Sequence, residues 1–403
     1  MSHNVIDNGM PSVRHPWLAV SSAGLATFAV VTTEMLPVGL LTTLAQALNT
    51  STGSAGMAVS LPSLLAALFA PLVVIGSGEI DRRIILRWLL VLLVVANLAS
   101  ALATGMATLL AARVLVGFCM GGIWAIAGGL SSRLVPPRAV GLASAVVFGG
   151  VAMASVLGVP LGVVASDTLG WRWTFVAMAV FSLAVLALQI IVMPALPVHH
   201  RVSPGQLVTV MRHRGVQAGI LLTLTLVTRH FMAFTFVRPL LLEIAPFGVQ
   251  WLGILLFVYG MAGVVGNFLI GIMAVRRTAL ALLTIALGLL LTPLLFLTLG
   301  HSGWGAVMAL VLWGLAYGGV SVGLMSWMIN AAPRSAEPVA ALYVAVFNIG
   351  IAAGAWSGGQ IVDRLGLVSN LSAAAVLLAL AALLSLYLSL RRAAPGGRQT
   401  AGD

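Results

Sequence analysis

The sequence predicts an all-α membrane protein in which twelve transmembrane helices form two pseudo-symmetric six-helix bundles. Three observations carry that prediction: twelve long apolar blocks, arginines concentrated in alternate loops, and landmarks that recur about 195 residues apart. Of 403 residues, 61% are hydrophobic and 7% charged, and the mean hydropathy is +1.12. These values lie far outside soluble globular usage.

Six blocks make up the first half: 16-41, 54-77, 84-104, 107-130, 139-165 and 171-193. Six more make up the second: 216-241, 250-273, 278-299, 304-330, 338-361 and 367-390. Each exceeds the ~20 residues that cross ~30 Å of hydrocarbon at ~1.5 Å per residue. Met1–His15 is polar, and the first block is too long for a secretory h-region, so it reads as an uncleaved anchor. The domain organisation expected is 1-193 for the first bundle, 194-215 for a linker and 216-403 for the second bundle.

All 20 basic residues are arginine. Fifteen fall on the side shared by the termini, against Arg172 and Arg364 on the other, and Arg113, Arg229 and Arg238 lie inside blocks. The positive-inside rule therefore predicts cytoplasmic termini. The net charge of +11 is spread over membrane-edge loops with no contiguous basic domain, which argues for contact with anionic lipid and against nucleic acid. Cys119 is alone, so no intramolecular disulfide forms, and its apolar surroundings read as core packing.

The repeat is specific. Arg82-Arg83 after the second block returns as Arg276-Arg277 after the eighth, and Pro137-Arg138 before the fifth returns as Pro333-Arg334 before the eleventh. Gly162-x4-Asp167-x2-Gly170 at the exit of the fifth returns as Gly358-x4-Asp363-x2-Gly366 at the exit of the eleventh. Two halves in parallel repeat suggest alternating access, with a site near the bilayer midplane between halves that rock.

An ionisable group in hydrocarbon costs about 2.5 to 3.5 kcal/mol even on the lenient insertion scale, so its retention implies a partner or a water-filled cavity. Glu34 and Arg113 lie ~10 Å and ~9 Å from the same face by helical rise. They are expected to share a cavity or pair directly, with a static packing ion pair as the bland alternative. A carboxylate whose surroundings change as the halves rock can take up and release a proton. Arg229 and His230 occupy the seventh block, the counterpart of the one carrying Glu34; His230 is expected to hydrogen-bond substrate, titrate, or bond a neighbouring helix. Arg238 is nine residues beyond Arg229, on the opposite side of an ideal helix, and reads as snorkelling to the surface. One acid against two to four basic groups favours neutral polar or anionic cargo over lipophilic cations.

Trp124, Tyr259, Asn267 and Asn348 are the further candidates for substrate contacts, the two asparagines because a buried amide needs partners. Trp313, Tyr317, Trp327, Asn330, Tyr343 and Trp356 are additional candidates along the path.

Several motifs together resemble the Major Facilitator Superfamily, and more closely its bacterial drug and metabolite proton antiporters of the sugar-efflux and purine-efflux type. They are Thr33-Glu34-Met35-Leu36-Pro37-Val38-Gly39-Leu40-Leu41, Arg113-Val114-Leu115-Val116-Gly117 with Gly121-Gly122, Gly158-Val159-Pro160-Leu161-Gly162, and Gly170-Trp171-Arg172. The resemblance implies that Arg113 assists proton transfer at Glu34, and that Gly150, Gly158, Pro160 and Gly162 form the antiporter signature. It also implies a cytoplasmic gate around Asp81, Arg82 and Arg83, in which Asp81 caps the next helix and pairs with an arginine such as Arg133. The gate lacks its usual glycines, and the second-half equivalent lacks the acid. Phe234-Thr235-Phe236-Val237-Arg238-Pro239 keeps the subgroup's Arg-Pro but replaces its aromatic hydroxyls.

The function expected is proton-coupled antiport exporting a small polar metabolite or drug across a bacterial inner membrane. Proton-coupled uptake or facilitation is the alternative, and an intramembrane enzyme the remote one. No Gly-rich phosphate loop is present and the linker is too short for a nucleotide-binding domain, so ATP does not drive the chain directly. One proton entering down ~150 mV supplies roughly 3.5 kcal/mol, enough for a concentration ratio of a few hundred. The partners expected are a small-molecule substrate, protons and the lipid bilayer, with no cofactor, metal or nucleic acid; the resemblance implies a monomer.

Overall fold

A computed structural model describes residues 15–76, 80–136, 139–196, 204–245 and 247–393. Glu79, Pro137-Arg138 and the linker residues His199, His200 and Arg201 lie outside the described residues. Among the described residues, ten helical stretches are long and apolar enough to cross a bilayer. Two of them, Val249–Leu299 and Pro338–Val376, contain a backbone break, at Arg277 and Gly366, and each is a pair of spans. Twelve spans result, as the sequence predicts.

The first half comprises α1 (Pro16–Ala47), α2 (Met57–Gly76), α3 (Arg82–Ala101), α4 (Met106–Leu134), α5 (Val140–Met153 and Val159–Leu169) and α6 (Trp171–Val192). A short helix, Thr52–Ala55, precedes α2, and another, Pro204–Met211, lies in the linker. The second half comprises α7 (Arg214–Phe234, resuming as Val237–Ile244), α8 and α9 (the two parts of Leu252–Leu299), α10 (Gly303–Gly318 and Val320–Ala331), and α11 and α12 (the two parts of Ala336–Ala393). The face on which α1 begins is called here the near face, and the one on which α1 ends the far face.

Each irregularity has a local cause. The two parts of α5 are joined by a π-turn over Ala154–Gly158. Pro160 follows at once; it has no N–H for the carbonyl four residues earlier, and a wider turn accommodates the lost bond. Gly170 and Gly366, the last residues of the repeated sequence motif, have φ of 92° and 83°. Side chains rarely adopt that region, so glycine at both positions lets the chain reverse between α5 and α6 and between α11 and α12. The repeat seen in sequence is thus a repeat of backbone geometry.

The described residues form two apolar cores. One consists of first-half residues from Ala19 to Leu196. The other lies in the second half but also takes in Val38, Leu41, Val59, Val159 and Val163 from the first. Close approach across the halves uses small residues, as helix packing in lipid does. A Cβ on Gly260 of α8 would stand 2.7 Å from Ser155 O and 2.8 Å from Val156 Cα, in the π-turn of α5. Large apolar side chains such as Trp88, Ile191 and Val275 are exposed on the outside, where a bilayer would cover them.

Candidate functional site

Glu34 sits on α1 three residues before Pro37, a proline inside the helix. Proline donates no hydrogen bond, so the carbonyl of Thr33, four residues back, loses its helical partner. Pro62 inside α2 does the same to the carbonyl of Ala58. Arg113 on α4, 0% exposed, supplies both donors: Nη1 to Thr33 O at 2.8 Å and Nε to Ala58 O at 2.9 Å. Its remaining nitrogen, Nη2, donates to Glu34 O at 2.9 Å. One guanidinium therefore ties three helices together through three carbonyls, two of which the prolines leave open. The sequence expectation of shared depth holds, but the guanidinium grips the backbone of Glu34 and its hydrogen bonds do not go to the carboxylate.

The carboxylate is 1% exposed. Oε1 accepts from Ser63 Oγ of α2 at 2.8 Å, and Oε2 is buried without a partner. Ser63 is a site residue the sequence reading missed; its signal was its position beside Pro62 on the helix facing Glu34. Asn97 on α3 donates to Thr33 Oγ1 at 3.1 Å and fixes the neighbouring turn. Met35, next to Glu34, packs against both apolar cores, which sets the acid where the halves meet. Gly150, Gly158 and Gly162 of α5 lie against Gly24 and Thr27, against Thr32, and against Leu36 respectively. The glycine pattern with Pro160 thus lets α5 run in contact with the helix carrying the acid.

In the second half His230 is 2% exposed and lies between aromatic rings. Tyr317 stacks on it at 3.3 Å between centroids and Phe234 at 4.9 Å, while Trp313 Nε1 donates to His230 Nδ1 at 3.0 Å. Tyr259 joins by stacking on Phe234 at 4.9 Å, with its hydroxyl buried and unpartnered. Arg229 is half-buried, and its Nε and Nη1 are buried without partners. Trp124 pairs with Phe148 of α5 at 5.8 Å, its Nε1 unpartnered. Asn348 donates to Val344 O of its own helix at 2.9 Å and leaves Oδ1 buried and unpartnered. The structure gathers His230 and Tyr259 into one cluster; no described contact brings Trp124 or Asn348 to it.

Two expectations are corrected. Asn267 is exposed, so its amide is not the buried, partner-seeking group the sequence suggested. It lies seven residues beyond Gly260, on the same side of α8, because seven steps of about 100° return nearly to the start. Arg238 is no snorkelling residue: it is 3% exposed. The helix interruption between Phe234 and Val237 turns it toward the first half, where it donates to Thr42 Oγ1 at 2.7 Å, Gly39 O at 2.8 Å and Asp167 Oδ1 at 3.0 Å. Asp363, the repeat counterpart of Asp167, mirrors this from the second half, accepting from Ser51 Oγ at 2.6 Å and Gly53 N at 2.8 Å. Both acids of the repeated motif therefore bridge the halves at the far face.

At the near face Asp81 caps α3, accepting from Arg83 N at 2.8 Å, and also accepts from Leu196 N at 3.0 Å. Its carboxylate meets Arg83 at 3.9 Å. Arg82 N donates to Leu196 O at 3.2 Å and Arg133 Nη1 reaches the same oxygen at 3.4 Å. Asp81 and Arg133 thus converge on Leu196 at the start of the linker, and the described contacts of Asp81 stay within the first half and that linker.

A family profile for the Major Facilitator Superfamily matches residues 23–355. The chain belongs to this superfamily. It is a multi-pass membrane transporter and not an enzyme. It is 33% identical to the purine ribonucleoside efflux pump NepI of Escherichia coli (strain K12) over 387 residues, covering 95% of this chain and 98% of the pump. The pump of Shigella flexneri matches with the same identity and coverage. Among solved structures, a bacterial homologue of the human lysosomal transporter Spinster, inward-facing and occupied, superposes with a TM-score of 0.75 at 17% identity, covering 95% of this chain and 98% of that one. The human organic anion transporter MFSD10 gives 0.67 at 20% identity, with 93% and 100% covered. These share the fold.

Proposed function

We propose that this transporter is a proton-coupled antiporter of the bacterial inner membrane that exports a small neutral or anionic polar metabolite, with both termini cytoplasmic. Purine ribonucleosides, the cargo in the name of its 33%-identical relatives, are the first substrates to test. The observation that carries the reading is Glu34: a carboxyl buried at the meeting of the halves, with one oxygen bonded to Ser63 and the other free to hold a proton.

Arg113 is the positioning group. It fixes the backbone at Glu34 through carbonyls and leaves the carboxyl to change protonation without breaking the helix packing. The far face is the periplasmic one, and the Arg238–Asp167 and Asp363–Ser51 contacts hold it closed. The cross-half contacts of Arg238, Asp363 and Gly260 all lie toward that face, which corresponds to a state open to the cytoplasm. Asn267, on the Gly260 side of α8 but nearer the cytoplasm, faces the opened gap.

The test is transport in reconstituted vesicles with an imposed proton gradient. Wild-type protein moves a purine ribonucleoside uphill against proton flow, while Glu34→Gln retains exchange down a gradient and loses uphill transport. Full uphill transport by Glu34→Gln would remove this residue from the coupling.

A further inference from the structure

Within the second half a small crevice opens between α7, α9, α10 and α12. It is lined by Arg229, His230, Thr292, Trp313 and Leu371 among others, and among the described residues no carboxylate or first-half residue lines it. Its free volume of about 10 Å³ is about the room one water needs.

The unpartnered side-chain groups here are all donors. Trp313 has a single N–H and gives it to His230 Nδ1, so Nδ1 carries the lone pair and the imidazole proton sits on Nε2. Nε2 is buried and unpartnered, as are Nε and Nη1 of Arg229. Thr292 spends its hydroxyl hydrogen on Gly288 O at 3.0 Å. Three N–H groups, one set carrying a full positive charge, therefore belong to residues that border one crevice, with no acid among its described lining residues. Buried donors left unmade are expensive, and Nε–H and Nη1–H leave a guanidinium on edges separated by Cδ, so each calls for an acceptor oxygen of its own.

We infer that Arg229 and His230 form an oxyanion-binding site in the second bundle, with Trp313 as the residue that holds His230 in its donating tautomer. The chemistry recognised is a phosphate or phosphodiester oxygen pair. Its source is either a soluble anion or a phospholipid headgroup, since Thr292 and Ala374 stand only ~10 Å and ~12 Å along their helices from the far ends of α9 and α12. A phosphate is larger than the single water this crevice admits, so binding requires the lining side chains to part. It stands independently of proton coupling, so failure of the Glu34 test leaves it untouched.

The experiment is thermal unfolding of the purified transporter in detergent, titrated in separate arms with inorganic phosphate and with phosphatidylglycerol. The midpoint rises with one of them for wild type and for Arg276→Gln, an exposed arginine elsewhere, and the rise vanishes in Arg229→Gln. Arg229→Lys keeps the charge but not the two spaced N–H donors and binds about tenfold more weakly, which serves if Arg229→Gln fails to fold. His230→Gln, which keeps an N–H, retains more of the response than His230→Phe. A rise with phosphate identifies a soluble anion, and a rise with lipid alone identifies the headgroup. An equal response in wild type and Arg229→Lys, or none to either ligand because water alone fills the crevice, overturns the inference.

Discussion

Replacing Arg238 by alanine removes three hydrogen bonds that cross the halves at the far face, to Thr42, Gly39 and Asp167. The arginine side chain is 4% exposed and Asp167 26%. The ion pair is thus partly screened, and the loss falls near the lower end of the ~3–5 kcal/mol typical of breaking a buried pair. At ~1.4 kcal/mol per factor of ten, a loss of ~3 kcal/mol shifts the balance between closed and open far face by about 100-fold. Asp167→Asn keeps an acceptor and shifts it by only about fivefold, since a net contribution of ~1 kcal/mol is removed. The assay is alkylation of Val159→Cys by a membrane-impermeant maleimide. Val159 is 6% exposed and belongs to the core shared with the second half, and the native Cys119, at 0%, gives no background. Labelling should rise about 100-fold in the Arg238→Ala background and about fivefold with Asp167→Asn, in proportion to the population shift. An unchanged rate in Arg238→Ala would refute the idea that these contacts hold the far face shut.

Arg113→Lys replaces a fork that reaches three carbonyls on two helices by a single ammonium. It leaves one or two buried carbonyls unmatched and should lower stability by about 2–4 kcal/mol, seen as a lower unfolding midpoint. Gly260→Ala places a methyl against the backbone of Ser155 and Val156; this should raise Val159→Cys labelling as Arg238→Ala does, and no change would mean that the halves do not separate there. Asp363→Asn, which keeps one acceptor oxygen for Gly53 N and turns an NH2 toward Ser51 Oγ, should raise the same labelling by about fivefold, as Asp167→Asn does.

Much of this architecture was legible because the physics is local. Spans announce themselves by apolar length, and the Gly-x4-Asp-x2-Gly repeat marked two equivalent span exits, at which the structure needs glycine at Gly170 and Gly366. Glu34 and Arg113 stood out because charge in hydrocarbon must be explained. The role of Arg238 was hidden: its partners Thr42 and Asp167 are 196 and 71 residues away, and near a helix end an arginine looks like a snorkel. Asn267 was misjudged because an amide in an apolar run says nothing about which helix face it occupies. The grip of Arg113 was within reach of sequence reasoning, since Pro37 and Pro62 each free a carbonyl that some buried donor has to meet.

Proton release on cargo binding tests the role of Glu34 most directly. Purified transporter in weakly buffered detergent solution, near neutral pH, is mixed with a purine ribonucleoside and the pH is followed. Wild type should release a proton with each molecule bound, and Glu34→Gln should bind the nucleoside without releasing any. Equal release by both proteins would contradict the account.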